Sequence, residues 1–141
     1  MFQKIIQTDF SKTTLIIRLM VGVVFLSEGI QKFLFADALG SGRFAKIGLP
    51  NPEFLGPFVG GFEIVCGALV LMGFLTRLAS FPLMIIMVVA IATTKSEVLA
   101  NDGFWEMMHG SRTDWAMLLG SIFLIIEGGG KWSVDKNLTA R

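Results

Sequence analysis

The chain has 141 residues, 53% of them hydrophobic and 16% charged, with a net charge of +1; this fits one apolar domain over 1–141 and leaves no basic field to attract nucleic acid. One cysteine, Cys66, and one histidine, His109, exclude an internal disulfide, a CxxC redox motif, a bis-histidine haem and a Cys/His metal cluster within a single chain. Tyrosine is absent and no dinucleotide-binding glycine fingerprint occurs, so the chain has no redox centre of its own.

The first predicted helix spans about 13–35, with Thr13 or Ser11 as its N-cap. Lys4 and Lys12 ahead of an apolar stretch suit a signal peptide. Arg18, Glu28 and Lys32 interrupt that stretch, however, and no Ala-x-Ala-like site follows, so it reads as a retained helix. The second helix, 54–75, follows the Pro50-Asn51-Pro52 turn. Its 22 residues would be about 33 Å long, enough to cross a hydrocarbon core of about 30 Å. The one charged side chain in it is Glu63, near the middle. A carboxylate at that depth costs several kcal/mol unless it is protonated, paired or facing water.

The third helix, 78–95, starts after a tight Thr76-Arg77 turn, which makes helices two and three antiparallel neighbours; Pro82 falls in its first turns, where it is tolerated. The fourth, 112–130, has an uncharged core of twelve residues, Trp115–Ile126, and reaches spanning length with Arg112, Asp114 and Glu127 at its ends. Two long connections, 36–53 and 96–111, then share one side of the membrane and are the better place for chemistry. Seven basic residues flank the termini and the short turn against five near the long connections, which places both termini in the cytoplasm. The expected architecture is all-α: a membrane-embedded four-helix bundle with four transmembrane helices, multi-pass in the cell (inner, cytoplasmic) membrane and surrounded by lipid.

Placed on this map, Arg18, Gly22, Phe25, Gly29 and Lys32 share a stripe of helix one, and Gly60, Glu63, Gly67 and Val70 a face of helix two. The glycines mark these faces for close mutual packing. Glu28 lies one turn before Lys32, the favourable orientation for an ion pair. Counted from the long-connection side, Glu28 is about 10 Å deep and Glu63 about 14 Å, with Lys32, Lys95, Arg112 and Asp114 nearer the surface. A polar pocket bounded by the two connections would gather them, with His109 as a further ligand or proton-relay candidate. Arg18 and Glu127, both near the opposite surface, are expected to be partners or near-partners. Plainer readings stand beside these. Lys32 and Lys95 suit snorkelling, Glu28–Lys32 a helix-surface pair, Asp114 a helix start, His109 a solvated loop and Cys66 core filling. Glu63 has no inexpensive plain reading.

With these residues in view, the chain resembles the DoxX family of small prokaryotic membrane proteins over about Leu15 to Asp135. Helix one carries Arg18-x3-Gly22-x2-Phe25-x3-Gly29-x2-Lys32-Phe33, helix two Glu63-x3-Gly67 and then Gly73-Phe74-Leu75-Thr76-Arg77, and the chain closes on Gly128-Gly-Gly-Lys131-Trp132-Ser133-Val134-Asp135. The resemblance implies a compact bundle of four spans with cytoplasmic termini, and recurring polar positions at Arg18, Lys32, Glu63, Arg77 and Asp135. It further implies an association with quinone-linked sulfur oxidation, with oxidative-stress complexes or, in distant animal relatives, with receptor assembly. Many members place a histidine near the end of helix three; Lys95 occupies that neighbourhood here, with His109 beyond it.

Two function classes follow. The first is a quinone/quinol-interacting subunit associated with a membrane oxidoreductase complex. Phe25, Phe33, Phe58 and Phe62 would form its slot and Glu63, Lys32 and His109 its hydrogen-bonding and proton-transfer groups, with electrons supplied by a partner protein. The second is a non-catalytic assembly factor, in which Glu28, Lys32 and Glu63 fix the bundle and the connections bind a partner. Solute transport is a third class, and it requires a homo-oligomer.

Overall fold

The structure is a computed structural model and describes residues 2–139; among these every regular element is helical. A short α1 (Phe2–Ile6) leads to α2 (Thr14–Leu34). Thr13 takes the N-cap position of α2 without a side-chain cap bond, and the Ser11 hydroxyl instead accepts the Thr13 N–H at 3.2 Å. Beyond Phe35 come α3 (Ala36–Leu39) and α4 (Ser41–Lys46), then α5 (Pro52–Met72), which opens on a proline whose missing N–H is no loss there.

Gly73 (φ 69°) and Leu75 (φ 50°) take left-handed conformations that reverse the chain into α6 (Thr76–Ala90). From there the helix runs through one π-helical turn, Ile91–Lys95, straight into α7 (Ser96–Asp102), and stops at Gly103 (φ 90°). Then follow α8 (Phe104–Gly110), α9 (Arg112–Glu127) and α10 (Val134–Thr139).

Three helices are long and apolar enough to cross a membrane: α2, α5 and the continuous Thr76–Asp102 helix. With 16 residues, α9 is about 24 Å long, short of a hydrocarbon core of about 30 Å. The expected loop 96–111 is a correction. Ser96-Glu97-Val98-Leu99-Ala100 contains neither Gly nor Pro, so the change to polar residues does not end the helix, and Gly103 does. The 36–53 connection likewise holds two helical turns. At the π-helical turn, hydroxyls bond back to carbonyls one turn earlier: Thr93 donates to Val89 at 2.8 Å and Ser96 to Ala92 at 2.6 Å.

α2 packs along α5, α5 along α6, α6 along α9, and α9 returns to α2, closing a four-membered ring. The α2–α5 seam is the glycine contact that the sequence predicts. A Cβ added at Gly29 would lie 2.7 Å from the Gly60 carbonyl oxygen, and one at Gly67 would lie 2.8 Å from the Leu26 nitrogen. Backbones therefore meet almost directly. Inside the ring sit Val21, Phe25, Cys66, Val70, Leu83 and Leu124. Outside, Ile16, Val65, Phe81, Val88 and Leu119 are exposed, while Arg18, Glu63 and Asp135 are buried. Apolar outside and charged inside is the arrangement of a chain whose solvent is lipid.

Candidate functional site

Buried charge collects at the two ends of the bundle. One end carries the Gly73–Leu75 turn; the other opens into a cavity roofed by α3 and α4. At the cavity end Lys32, in the last turn of α2, reaches across the seam to Glu63 in the middle of α5, with Nζ 2.7 Å from Oε2. Gly60 makes that reach possible: a Cβ there would lie 3.3 Å from the Lys32 Cβ and 3.0 Å from the Phe33 ring. Glu28, one helical turn before Lys32, stands 3.9 Å from Nζ on the other side. The Glu63 side chain is 3% exposed and that of Lys32 11%. Two ions this deep are tolerable because each neutralises the other. A carboxylate offers about four lone-pair positions, so Glu63 keeps acceptor capacity beyond its contact with Lys32.

Glu28, Lys32 and Glu63 line a cavity of about 590 Å³ together with Asp114 of α9 and Arg43 of α4. Its apolar wall includes Phe25, Phe58, Ile86 and Met117, and the hydroxyl residues Thr93, Thr94 and Thr113 also border it. Lys95 stands behind this wall, 3.1 Å from Asp114 Oδ2, and donates to the Gly110 carbonyl at 2.8 Å. The polar pocket read from the sequence thus gathers Glu28, Lys32, Glu63 and Asp114, and Lys95 through Asp114. His109 and Arg112 are not part of it. They face each other on the exposed surface, with Arg112 Nη1 2.7 Å from His109 Nε2. Phe25 and Phe58 border the cavity, and Phe33 and Phe62 do not. Sequence reasoning missed Arg43 and the three threonines; adjacent Thr93-Thr94 in an otherwise apolar helix was the available signal.

The turn end is built differently. Arg18 is 2% exposed and spends its donors on backbone. Its Nε donates to the Val70 carbonyl at 2.9 Å, Nη2 to Leu71, and Nη1 to Gly129 at 3.2 Å and to Trp132. Val70 and Leu71 end α5, so the guanidinium satisfies orphan carbonyls at the negative pole of that helix. Asp135 does the converse for α6: its carboxylate accepts the N–H groups of Leu75 at 2.8 Å and Thr76 at 2.9 Å, at the positive pole. Its own N–H returns to the Gly73 carbonyl at 2.9 Å.

The expected Arg18–Glu127 pair does not form. The Glu127 side chain makes no ion pair among the described residues, and its backbone carbonyl accepts the Asp9 N–H at 2.9 Å. Carbonyls take four of the five guanidinium N–H groups of Arg18.

The DoxX family model matches residues 13–96, more than half of the chain. This protein belongs to the DoxX family. The matched segment runs from the start of α2 to the π-helical turn, so it holds Arg18, Lys32 and Glu63 and leaves out Asp114 and Asp135. The chain is 49% identical to the uncharacterized membrane protein Rv3486 of Mycobacterium tuberculosis, covering 98% of this chain and 88% of that one. It is 28% identical to CatD of Bacillus subtilis, provisionally named an oxidoreductase, over 90% of this chain and 87% of that one. No solved structure matches the chain significantly.

Proposed function

We propose that this DoxX protein is the quinone- or quinol-interacting subunit of a membrane oxidoreductase complex, with the cavity at Lys32–Glu63 as its ligand site. The observation that carries the reading is a buried ion pair forming part of the wall of a largely apolar cavity of about 590 Å³. Charge balance supports it. The acids Glu28, Glu63 and Asp114 border the cavity with Lys32 and Arg43, and Lys95 holds Asp114 from behind. Three acids against three bases suit a neutral headgroup that needs hydrogen bonds rather than a counter-ion. Lys32 is placed to donate to a ring oxygen and Glu63 to take or return a proton. Electrons come from a partner polypeptide. The provisional name of the Bacillus subtilis relative points the same way.

The same reading takes the bundle as four spans in the bacterial inner membrane with both termini cytoplasmic. The exposed Leu119 and Ile126 on α9 support a fourth lipid-facing helix, completed by the residues that flank it, and the balance of basic residues supports the orientation. The cavity then opens on the outer side.

Mass spectrometry of lipid-soluble molecules extracted from protein purified in mild detergent tests the proposal, with Glu63→Gln as control. Quinone enriched with wild type and lost from a folded variant is the expected result. The second reading, a partner-binding assembly factor, draws on the edge-packed Phe104–Trp105 pair of α8, where Trp105 is 82% exposed. It predicts a stoichiometric second polypeptide and no quinone.

A further inference from the structure

Several lining residues of the cavity also face outward. Ile85 and Val89 of α6 border it and yet are 45% and 44% exposed. Ile85 follows the fully buried Leu83 by two positions, about 200° around the helix, so it lies on the outer side. Phe58 of α5 borders the cavity as well. It belongs to an outward row, with its ring 5.3 Å from Phe54 and 4.9 Å from Phe62. Residues that line a cavity and face outward at once mark a break in its wall, and this break runs along the α5–α6 seam.

The cavity also has a polar mouth, where Glu28, with its side chain 46% exposed, and the exposed Arg43 and Thr113 border it; the break along α5–α6 is its apolar one. Glycine contacts seal α2 against α5, and Leu39, Phe44 and Ile47 cover the cavity from the α3–α4 side. Along α5 and α6 the helices are held together by the turn and by buried Val70, Cys66, Ala79 and Leu83, so the opening lies away from the turn, beside the ion pair. Its rim of Phe58, Ile85 and Val89 is apolar and stands where the helices face the hydrocarbon.

We infer that the ligand reaches the cavity sideways from the bilayer, through an opening between α5 and α6 framed by Phe58, Ile85 and Val89, and that its hydrocarbon tail remains in that opening while its head lies at Lys32–Glu63. The inference rests on the quinone reading and deepens it: the substrate is a quinone with an isoprenoid tail, not a small water-borne one. A phospholipid shares the tail but brings a charged phosphate, whereas acids and bases in equal number around the cavity favour a neutral ring.

The test compares two probes on purified protein in detergent, a benzoquinone carrying two isoprene units and the same ring without a tail. Wild type is expected to bind the tailed ring at least roughly tenfold more tightly, since the tail buries apolar surface in the opening that the bare ring lacks. Val89→Trp fills the opening from an exposed position and is expected to weaken the tailed ring roughly tenfold while leaving the bare ring within about twofold. Ile85→Trp is the second variant, should the first fold poorly, and Leu119→Trp on α9 is the control that changes neither. Equal wild-type affinity for both rings, or a Val89→Trp effect that is absent or equal for both, overturns the lateral opening while leaving a quinone site standing. Wild type that binds neither ring overturns the quinone reading, and the opening with it.

Discussion

Arg18 and Lys32 stand on the same helix, 14 residues and about 21 Å apart, both cationic and both withdrawn from solvent. Arg18 is surrounded by main-chain carbonyls of α5 and of the segment before α10, and it does not line the cavity at Lys32–Glu63. Lys32 meets two carboxylates, Glu28 and Glu63, and a cavity lies beside it. Backbone acceptors cannot move, be protonated or be exchanged for a ligand without unwinding a helix. Side-chain acceptors can do all three. A buried charge satisfied by backbone holds a fold together, whereas one satisfied by another side chain beside a cavity is available for chemistry.

Substitutions sharpen this contrast, and Arg18→Ala is expected to be the most damaging. It strands carbonyls of Val70, Leu71, Gly129 and Trp132 together, at a cost of at least about 3–5 kcal/mol by analogy with other broken buried charge networks. The variant should be recovered poorly or melt far below wild type. Arg18→Lys should rescue little, because one ammonium cannot reach carbonyls on two segments in the planar fork of a guanidinium.

Lys32→Ala comes next. It leaves Glu63 buried without its cation and is expected to cost about 3 kcal/mol, read as a lowered thermal midpoint in detergent. Asp135→Ala removes two charge-assisted bonds at the start of α6, for about 2–3 kcal/mol, and should leave quinone binding by the folded fraction unchanged. The smallest effect belongs to Lys95→Ala. Its partly exposed pair with Asp114 is worth at most about 1 kcal/mol, and any change in binding should arise through the freed Asp114.

Much of the cavity end was legible in the sequence because its partners are side chains. Glu63 is conspicuous in an uncharged helix, Glu28 and Lys32 are one turn apart, and the glycines name the faces that touch. That Lys32 meets Glu63 was not legible, since the rotation of α2 against α5 follows from the Gly29–Gly60 contact and not from spacing. The turn end was read wrongly for a related reason. Arg18 and Glu127 lie at similar depth with opposite charge, but the competing acceptors are carbonyls, which every residue has and no residue type advertises. The helical 96–102 segment was read as loop because polarity was taken for a helix end, whereas it marks the place where an unbroken helix changes surroundings.

The most direct test replaces both members of the cavity-end pair at once, as Lys32→Met with Glu63→Leu. Two ions exchanged for apolar side chains of similar volume are expected to leave stability within about 1 kcal/mol of wild type or to raise it, while binding of the tailed benzoquinone falls at least roughly tenfold. A double variant that melts as low as Arg18→Ala would make the pair a structural element like the turn end. One that is stable and binds the quinone as wild type does would remove the ligand from the pair altogether.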